Sequence, residues 1–151
     1  MGTVKLLLEE SAQFEMDAYE IYSVFMASIQ KDAAFWEQLA NEELDHAGLL
    51  RKCLPLCSDE NELAGIISVE EIEIIKEARK NIKQFMTEFQ NNPSPGIART
   101  MALDVENSIV ENSYQKFMDT MPNNDLKQLF QLLNGKEKDH INRINEYFKS
   151  N

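Results

Sequence analysis

The sequence is poor in the residues that interrupt helices or cross-link loops. Its 151 residues contain only four prolines, five glycines and two cysteines. Scarce proline and glycine disfavour a turn-rich β architecture and favour long helices. The two cysteines, Cys53 and Cys57, lie four residues apart, a spacing that rarely meets disulfide geometry on a helix. We therefore expect free thiols, with Cys53 as a small buried residue.

Long apolar runs and an excess of positive charge are also missing. No run reaches the roughly 18 apolar residues that a membrane span requires, and the apolar run at residues 6–8 is too short for a signal peptide. The net charge of −11 disfavours nucleic acid and anionic membranes as partners. We expect a cytoplasmic protein with one globular domain over residues 1–151.

What the sequence does contain is helical periodicity, because apolar residues recur at spacings of three and four and no stretch alternates as a strand would. Break signals divide this pattern into five predicted helices. They run from Thr3 to Ile29, from Asp32 to Leu54, from Ser68 to Gln90, from Pro95 to Met121 and from Asn124 onward. Asp32 and Ser94 are predicted N-caps, and Ser68 with Glu71 predicts a capping box.

These helices predict an all-α fold built from two hairpins. The first hairpin is expected over residues 3–56 and the second over residues 95–150. The crossover between them, residues 57–94, carries the additional helix. Such a long connection is required if the second hairpin is to dock on the first in a matching orientation.

Four glutamates interrupt the apolar faces of the predicted helices. Each lies at a core-facing position of a different helix: Glu15, Glu43, Glu106 and Glu137. An unpaired buried carboxylate is strongly destabilising. The same apolar faces contain no lysine or arginine to compensate the charge. A bound metal ion is the simplest partner for all four carboxylates.

Both histidines of the chain follow a glutamate by three residues. The two motifs are Glu43-Leu-Asp-His46 and Glu137-Lys-Asp-His140. Residues three apart share one face of a helix. Each motif can therefore present one oxygen and one nitrogen ligand to the same ion.

The spacing of the glutamates supports a shared site. In an antiparallel pair, residues at one level lie equally far from the turn. The midpoint of Glu15 and Glu43 is residue 29, at the first predicted turn, and the midpoint of Glu106 and Glu137 falls at the break between Met121 and Pro122. The halves repeat with an offset of 91 residues at the single glutamates and 94 residues at the Glu-x-x-His motifs. The chain thus looks like a duplicated hairpin that surrounds two ions.

The ligand set indicates the type of metal. Four carboxylates and two neutral imidazoles balance the charge of two divalent ions, and one imidazole per ion with oxygen for the rest suits Fe or Mn. Our hypothesis is that Glu43 and Glu137 bridge or chelate the ions and that each histidine binds one ion. Glu15 and Glu106 would then be terminal ligands.

Tyr22 lies two helical turns after Glu15. Two interpretations are open for this residue. It either hydrogen-bonds a carboxylate in the second coordination sphere or supplies an electron, or it is an ordinary residue of the core.

The pattern Glu, Glu-x-x-His, Glu, Glu-x-x-His on four helices resembles the ferritin-like di-iron carboxylate proteins. Within them the chain is most similar to the rubrerythrin-related proteins. Glu15 with Ala18 and Tyr22 resembles their Glu-x-x-Ala-x-x-x-Tyr, and residues 42–47 resemble their Glu-Glu-x-x-His-Ala. The resemblance implies a ferritin-like antiparallel four-helix bundle, two Fe ions (with Mn possible) and a homodimer. It also implies an oxidoreductase that couples Fe(II) oxidation to the reduction of H2O2 or O2.

Two departures from that pattern qualify the expected function. Rubredoxin iron needs four cysteines, so these 151 residues lack a rubredoxin domain and the electron donor must be external. Ile109 occupies the position three residues after Glu106, where the related proteins tend to have another glutamate that serves peroxide-specific iron movement. The alternative is a non-catalytic bundle that binds or sequesters iron or manganese. It would need the same six ligands, so the sequence leaves both interpretations open.

Overall fold

The computed structural model describes residues 3–56, 69–120 and 125–150, and its regular structure in these ranges is helical throughout. The predicted all-α class is confirmed. The α-helices are α1 (Thr3–Ser28), α2 (Ala33–Cys53), α3 (Val69–Asn91), α4 (Pro95–Ile109), α5 (Gln115–Thr120) and α6 (Asp125–Ser150). The predicted capping box at Ser68, the second turn at Met121-Pro122 and Cys57 lie outside the described residues.

The helices pair as two hairpins with α3 in the crossover. α1 packs along α2, and α4 and α5 pack along α6. α3 packs mainly against α1 and also contacts α4. The Arg79 guanidinium of α3 donates to Asp17 at 2.8 Å and to Glu10 at 2.9 Å on α1. These are the helix contacts of a ferritin-like bundle, as the sequence predicts.

The predicted fourth helix is interrupted by a π-helical segment. α4 passes into a π-helix at Val110–Tyr114 and then into α5 without a break. The backbone N–H of Gln115 donates to the carbonyl of Val110, five residues back. Such a wide turn accommodates one extra residue within a helix, and every residue beyond it is displaced by one position relative to a regular α-helix.

The two predicted N-caps have different outcomes. The Ser94 hydroxyl accepts a hydrogen bond from the backbone N–H of Ile97 at 3.1 Å, so this prediction is confirmed. Asp32 occupies the N-cap position of α2, as predicted, but its side chain makes no capping hydrogen bond. Its backbone lies at φ −107° and ψ 7°, outside the extended region that N-caps adopt. The Asp32 carboxylate instead accepts the hydroxyl of Tyr147 on α6 at 2.7 Å.

Candidate metal centre

The structure brings the six predicted site residues together in the middle of the bundle. α1 carries Glu15, α2 carries Glu43 and His46, α4 carries Glu106, and α6 carries Glu137 and His140. Each of the six is at most 3% exposed. The equal distance of each carboxylate from its turn, inferred from sequence, corresponds to this single level in the bundle.

The six side chains form two overlapping groups of potential ligands. One group contains Glu15, Glu43, His46 and Glu137, and the other contains Glu43, Glu106, Glu137 and His140. Within each group one ligand atom per residue lies within 4.8 Å of all the others. Because both groups share Glu43 and Glu137, they are consistent with a dinuclear metal site whose central carboxylates serve both ions.

The two halves of the chain interlock across this centre. The Nδ1 atom of His46 lies 2.6 Å from Oε1 of Glu137, and Nδ1 of His140 lies 2.7 Å from Oε1 of Glu43. The two imidazole rings stack with centroids 5.5 Å apart. Each histidine therefore faces the glutamate of the other Glu-x-x-His motif, so neither hairpin contains a complete site alone.

Several atoms of the centre lack hydrogen-bond partners among the described residues. They are both oxygens of Glu43, one oxygen each of Glu15, Glu106 and Glu137, and Nδ1 of His46. Some are very close to one another, but their geometry does not suit a hydrogen bond. Buried polar atoms are normally satisfied. Buried oxygen and nitrogen atoms that converge without hydrogen-bonding one another are the arrangement that a cation completes, so these residues fit a pair of divalent metal ions.

Burial and mutual repulsion divide the four carboxyl groups into two classes. Burial, reinforced by the charges of Glu15 and Glu106, raises the pKa of Glu43 and of Glu137 well above the usual range. Burial also acts to raise the pKa of Glu15, but its interactions with Glu43 and with His46 outweigh burial and lower that pKa. In the same way, interactions with Glu137 and with His140 outweigh burial and lower the pKa of Glu106 to about 2.

Both imidazoles hold a proton more tightly than usual in the metal-free centre. Burial opposes their charged form, but the surrounding carboxylates outweigh it. Contacts with Glu137 and Glu15 raise the pKa of His46. Contacts with Glu106 raise the pKa of His140 to about 9. Protons thus neutralise charge at positions where metal ions would otherwise do so.

Two buried tyrosines donate hydrogen bonds to the single glutamates. The Tyr22 hydroxyl donates to Oε1 of Glu106 at 2.7 Å, and the Tyr114 hydroxyl donates to Oε1 of Glu15 at 2.6 Å. Burial, followed by the charge of the accepting carboxylate, raises the pKa of each phenol. Each tyrosine therefore stays protonated and orients the glutamate of the other half.

Tyr114 was not identified from the sequence. Tyr22 follows Glu15 by seven residues, whereas Tyr114 follows Glu106 by eight. The π-helix at Val110–Tyr114 accounts for the additional residue. The repeat between the two halves would have revealed Tyr114 only if one inserted residue had been allowed.

A second carboxylate lies behind one of the two histidines. Arg143 on α6 donates to both oxygens of Glu42 on α2, at 2.7 and 2.8 Å. Oε1 of Glu42 lies 3.5 Å from Nε2 of His140, on the side of the ring that faces away from the centre. At the offset of 94 residues, the counterpart of Glu42 in the second half is Lys136. The surroundings of the centre are thus less symmetric than the centre itself.

Ile109 lies fully buried at the end of α4 and offers no ligand atom. At the offset of 91 residues its counterpart is Ala18, which is also buried in the core. Both halves therefore have an apolar residue at this position.

A helical bundle that places two Glu-x-x-His motifs opposite two single glutamates belongs to the ferritin-like class of dinuclear carboxylate proteins. The sequence model of one family, rubrerythrin, matches residues 7–144. Because this range covers most of the 151 residues, the chain belongs to the rubrerythrin family. No curated protein and no solved structure matches the chain. Among the described helices, none combines the length and the apolar character needed to cross a membrane.

Proposed function

We propose that this protein is a non-haem di-iron oxidoreductase that couples Fe(II) oxidation to the reduction of H2O2 or O2. The observation that carries the proposal is the pair of overlapping ligand groups that share Glu43 and Glu137. When bound, a pair of Fe(II) ions supplies two electrons to a small oxidant. Oxygen-rich ligands with one imidazole per ion favour Fe, with Mn as the alternative metal.

In this proposal, each side chain of the centre has a defined role. Glu43 and Glu137 would hold both ions, since each belongs to both ligand groups. Glu15 and Glu106 would each hold one ion. Each histidine would hold one ion through a deprotonated ring nitrogen.

Tyr22 and Tyr114 are positioning residues in the same proposal. Each donates its hydroxyl to one oxygen of Glu106 or Glu15, and the other oxygen has no hydrogen-bond partner among the residues that the structure describes. A hydrogen bond to a ligating carboxylate fixes its orientation and reduces the reorganisation on metal binding.

Burial of the centre supports a small oxidant as the substrate. All six proposed ligands are at most 3% exposed, so a large organic substrate has no direct contact with them. H2O2 and O2 are small enough to reach such a site by small movements of the surrounding side chains. The electrons that regenerate Fe(II) come from a donor outside these 151 residues.

Metal analysis tests the site assignment. We expect wild-type protein reconstituted with Fe(II) or Mn(II) to bind two ions per chain. Glu43→Gln removes one charge and one ligand shared by both groups, so this variant is expected to lose both ions. Glu37→Gln is the matched control, because Glu37 lies exposed on the same helix. Full metal content in the Glu43 variant would refute the assignment.

Rapid mixing tests the proposed reaction. We expect the diferrous protein to be oxidised by H2O2 or O2 faster than free Fe(II) under the same conditions. Oxidation no faster than that of free Fe(II), in protein that binds two ions, would contradict the enzyme proposal. The same result would support the alternative of a non-catalytic bundle that sequesters iron or manganese.

The homodimer implied by the family is also part of the proposal. Analytical ultracentrifugation of the full chain, with and without metal, measures it directly. A monomer at micromolar concentration would contradict it.

A further inference from the structure

A continuous line of aromatic rings leads from the centre to one end of the bundle. Tyr22, whose hydroxyl contacts Glu106, stacks on Trp36 with ring centroids 5.5 Å apart. Trp36 meets Phe35 at 5.1 Å, and Phe35 stacks on Tyr147 at 4.1 Å and an interplanar angle of 10°. The centroids of adjacent rings in this line are at most 5.5 Å apart.

A second phenylalanine reinforces the outer part of the line. Phe148 lies 5.8 Å from Trp36 and 5.0 Å from Tyr147. Two rings therefore connect Trp36, the only tryptophan of the chain, to Tyr147. Tyr147 is partly exposed, so the line runs from a fully buried carboxylate to the surface.

The tyrosines at the two ends of the line each have a carboxylate that accepts their proton. Tyrosine loses its phenolic proton when it is oxidised, because the phenol radical cation is a strong acid. Tyr147 donates to Oδ1 of Asp32 at 2.7 Å, as Tyr22 does to Glu106. Asp32 is only 2% exposed, and its second oxygen has no hydrogen-bond partner within the described ranges. This buried carboxylate is thus well placed to take a proton from Tyr147.

Trp36 differs from the two tyrosines in this respect. Its indole Nε1 is buried and has no hydrogen-bond partner in the part of the chain that the structure describes. An oxidised indole that cannot release its proton remains a strong oxidant. Trp36 is therefore suited to pass an oxidising equivalent on, whereas Tyr147 with Asp32 is suited to retain it.

The internal repeat does not duplicate this line of rings. At the offset of 94 residues the counterpart of Trp36 is Phe130, and the counterpart of Tyr147 is Cys53. Tyr114 meets Phe130 at 5.2 Å. A phenylalanine ring is far harder to oxidise than an indole. The halves therefore share the carboxylate centre but differ in their redox-active side chains.

We propose that Tyr22, Trp36 and Tyr147 form a one-electron relay between the carboxylate centre and the Asp32 end of the bundle. An oxidising equivalent that reaches Trp36 by way of Tyr22 draws one electron from Tyr147, whose phenolic proton moves to Asp32. A one-electron reductant of the ascorbate class then returns an electron to Tyr147, and Asp32 returns the proton. The net result is one electron moved inward with no proton consumed. The relay rests on the proposed function only for the source of the oxidising equivalent.

Laser photolysis tests the outer part of the relay without iron or peroxide. The full chain is loaded with Zn²⁺, which has no redox chemistry, and Trp36 is photoionised. We expect the tryptophan radical to decay as a tyrosyl radical appears. Tyr147→Phe keeps the ring but loses the hydroxyl, so the yield of tyrosyl radical should fall and the tryptophan radical should live longer. Tyr19→Phe is the matched control, because Tyr19 lies on α1 outside this line, and it should behave as wild type.

Asp32→Asn gives a second measurement at the same end of the bundle. It keeps the shape of Asp32 but removes the proton acceptor, so the tyrosyl radical should form more slowly. Circular dichroism confirms that each variant is folded. A tyrosyl radical of unchanged yield in the Tyr147 variant would overturn the relay.

Freeze-quench electron paramagnetic resonance of the diferrous protein with H2O2 tests the inner step. We expect a tyrosyl radical in wild type and in Tyr19→Phe, and its loss in Tyr22→Phe and in Trp36→Phe. Iron oxidation with an undiminished radical in Tyr22→Phe would overturn the link to Tyr22. A positive laser experiment without accelerated iron oxidation would refute the proposed function and leave the outer relay intact.

Discussion

Glu43 and Glu137 combine full burial with three further carboxylates around each of them. Such positions are unfavourable unless a proton or a cation compensates the charge. This is why they were predictable from the sequence: a glutamate on an apolar helix face requires a local partner. The histidines were predictable for the same reason, since a spacing of three places them on the face of their glutamate.

The residues of the proposed electron relay could not be predicted from the local sequence pattern. Trp36 and Tyr147 are separated by more than a hundred residues, and their proximity depends on how α2 packs against α6. Asp32 has the residue type of an N-cap, but its backbone conformation prevents capping and Tyr147 becomes its partner. Long-range packing decides such contacts, and helical periodicity does not encode it.

The position of Glu42 predicts that the two ions are bound with different affinities. Its carboxylate lies 3.5 Å from Nε2 of His140, and the other half has Lys136 at this position. A carboxylate behind a ligating histidine strengthens metal binding. We expect Glu42→Gln to lower the affinity for one of the two ions by about tenfold and to leave the affinity for the other unchanged.

Metal titration by calorimetry measures this difference. Asp139→Asn is the control, because Asp139 also contacts Arg143, at 3.3 Å, but lies on the exposed side of α6. An equal loss of affinity for both ions in the Glu42 variant would contradict the prediction.

At the scale of the helix, the π-segment at Val110–Tyr114 is the feature that periodicity missed. Five helical segments were predicted with bounds close to the observed ones, because caps and prolines mark the ends. An extra residue inside a helix carries no such mark. Its consequence for the site is nevertheless direct, because it brings the Tyr114 hydroxyl to Glu15.

The two tyrosines should contribute equally to metal binding despite this difference in helix geometry. Their hydrogen bonds are nearly the same length, 2.7 and 2.6 Å. We expect Tyr22→Phe and Tyr114→Phe each to lower metal affinity by about tenfold or more. Competition with a chelator of known affinity measures the change. Tyr147→Phe is the control, because its hydroxyl donates to Asp32 instead. A large effect in only one of the two variants would show that the two hydrogen bonds are not equivalent.

Gly135 provides a prediction about helix stability. It lies within α6, exposed, and a Cβ added there would meet nothing within 4 Å. Glycine within a helix is less stable than alanine by roughly 0.5–1 kcal/mol. We expect Gly135→Ala to raise the free energy of unfolding by about this amount, as measured by urea denaturation. Gly48→Ala, at an equally open position of α2, should have the same sign. Destabilisation by either alanine would indicate that the glycine serves the neighbouring site.

For the whole molecule, the metal-free centre should behave as a store of protons. The pKa values of Glu43, Glu137, His46 and His140 are raised, so the metal-free centre holds protons on these groups more tightly than usual. Divalent cations replace such protons, because ligands bind metal in their deprotonated form. We expect protons to be released as the ions bind. Calorimetry in buffers of different ionisation enthalpy measures the number, and release of none would contradict this account.

The same exchange limits the change in overall charge on metal binding. The formal net charge of −11 counts every carboxylate as ionised and both histidines as neutral. Each proton that leaves the centre cancels one of the positive charges that the cations bring. Native electrophoresis at neutral pH should therefore show a smaller change in mobility on metal loading than the charge of the cations alone would cause. A shift toward the cathode as large as that full charge would disagree with this exchange.

The π-helix at Val110–Tyr114 also bears on how the chain evolved. The offset between the two halves is 91 residues at the single glutamates, 92 at the tyrosines and 94 at the Glu-x-x-His motifs. Its first increase falls at the π-helix and the second in the stretch that includes the connection before α6. Both are places where a chain can lengthen without moving a side chain out of the centre. If the halves descend from one ancestral hairpin, selection preserved the positions of six side chains in space and tolerated changes in the count of residues between them.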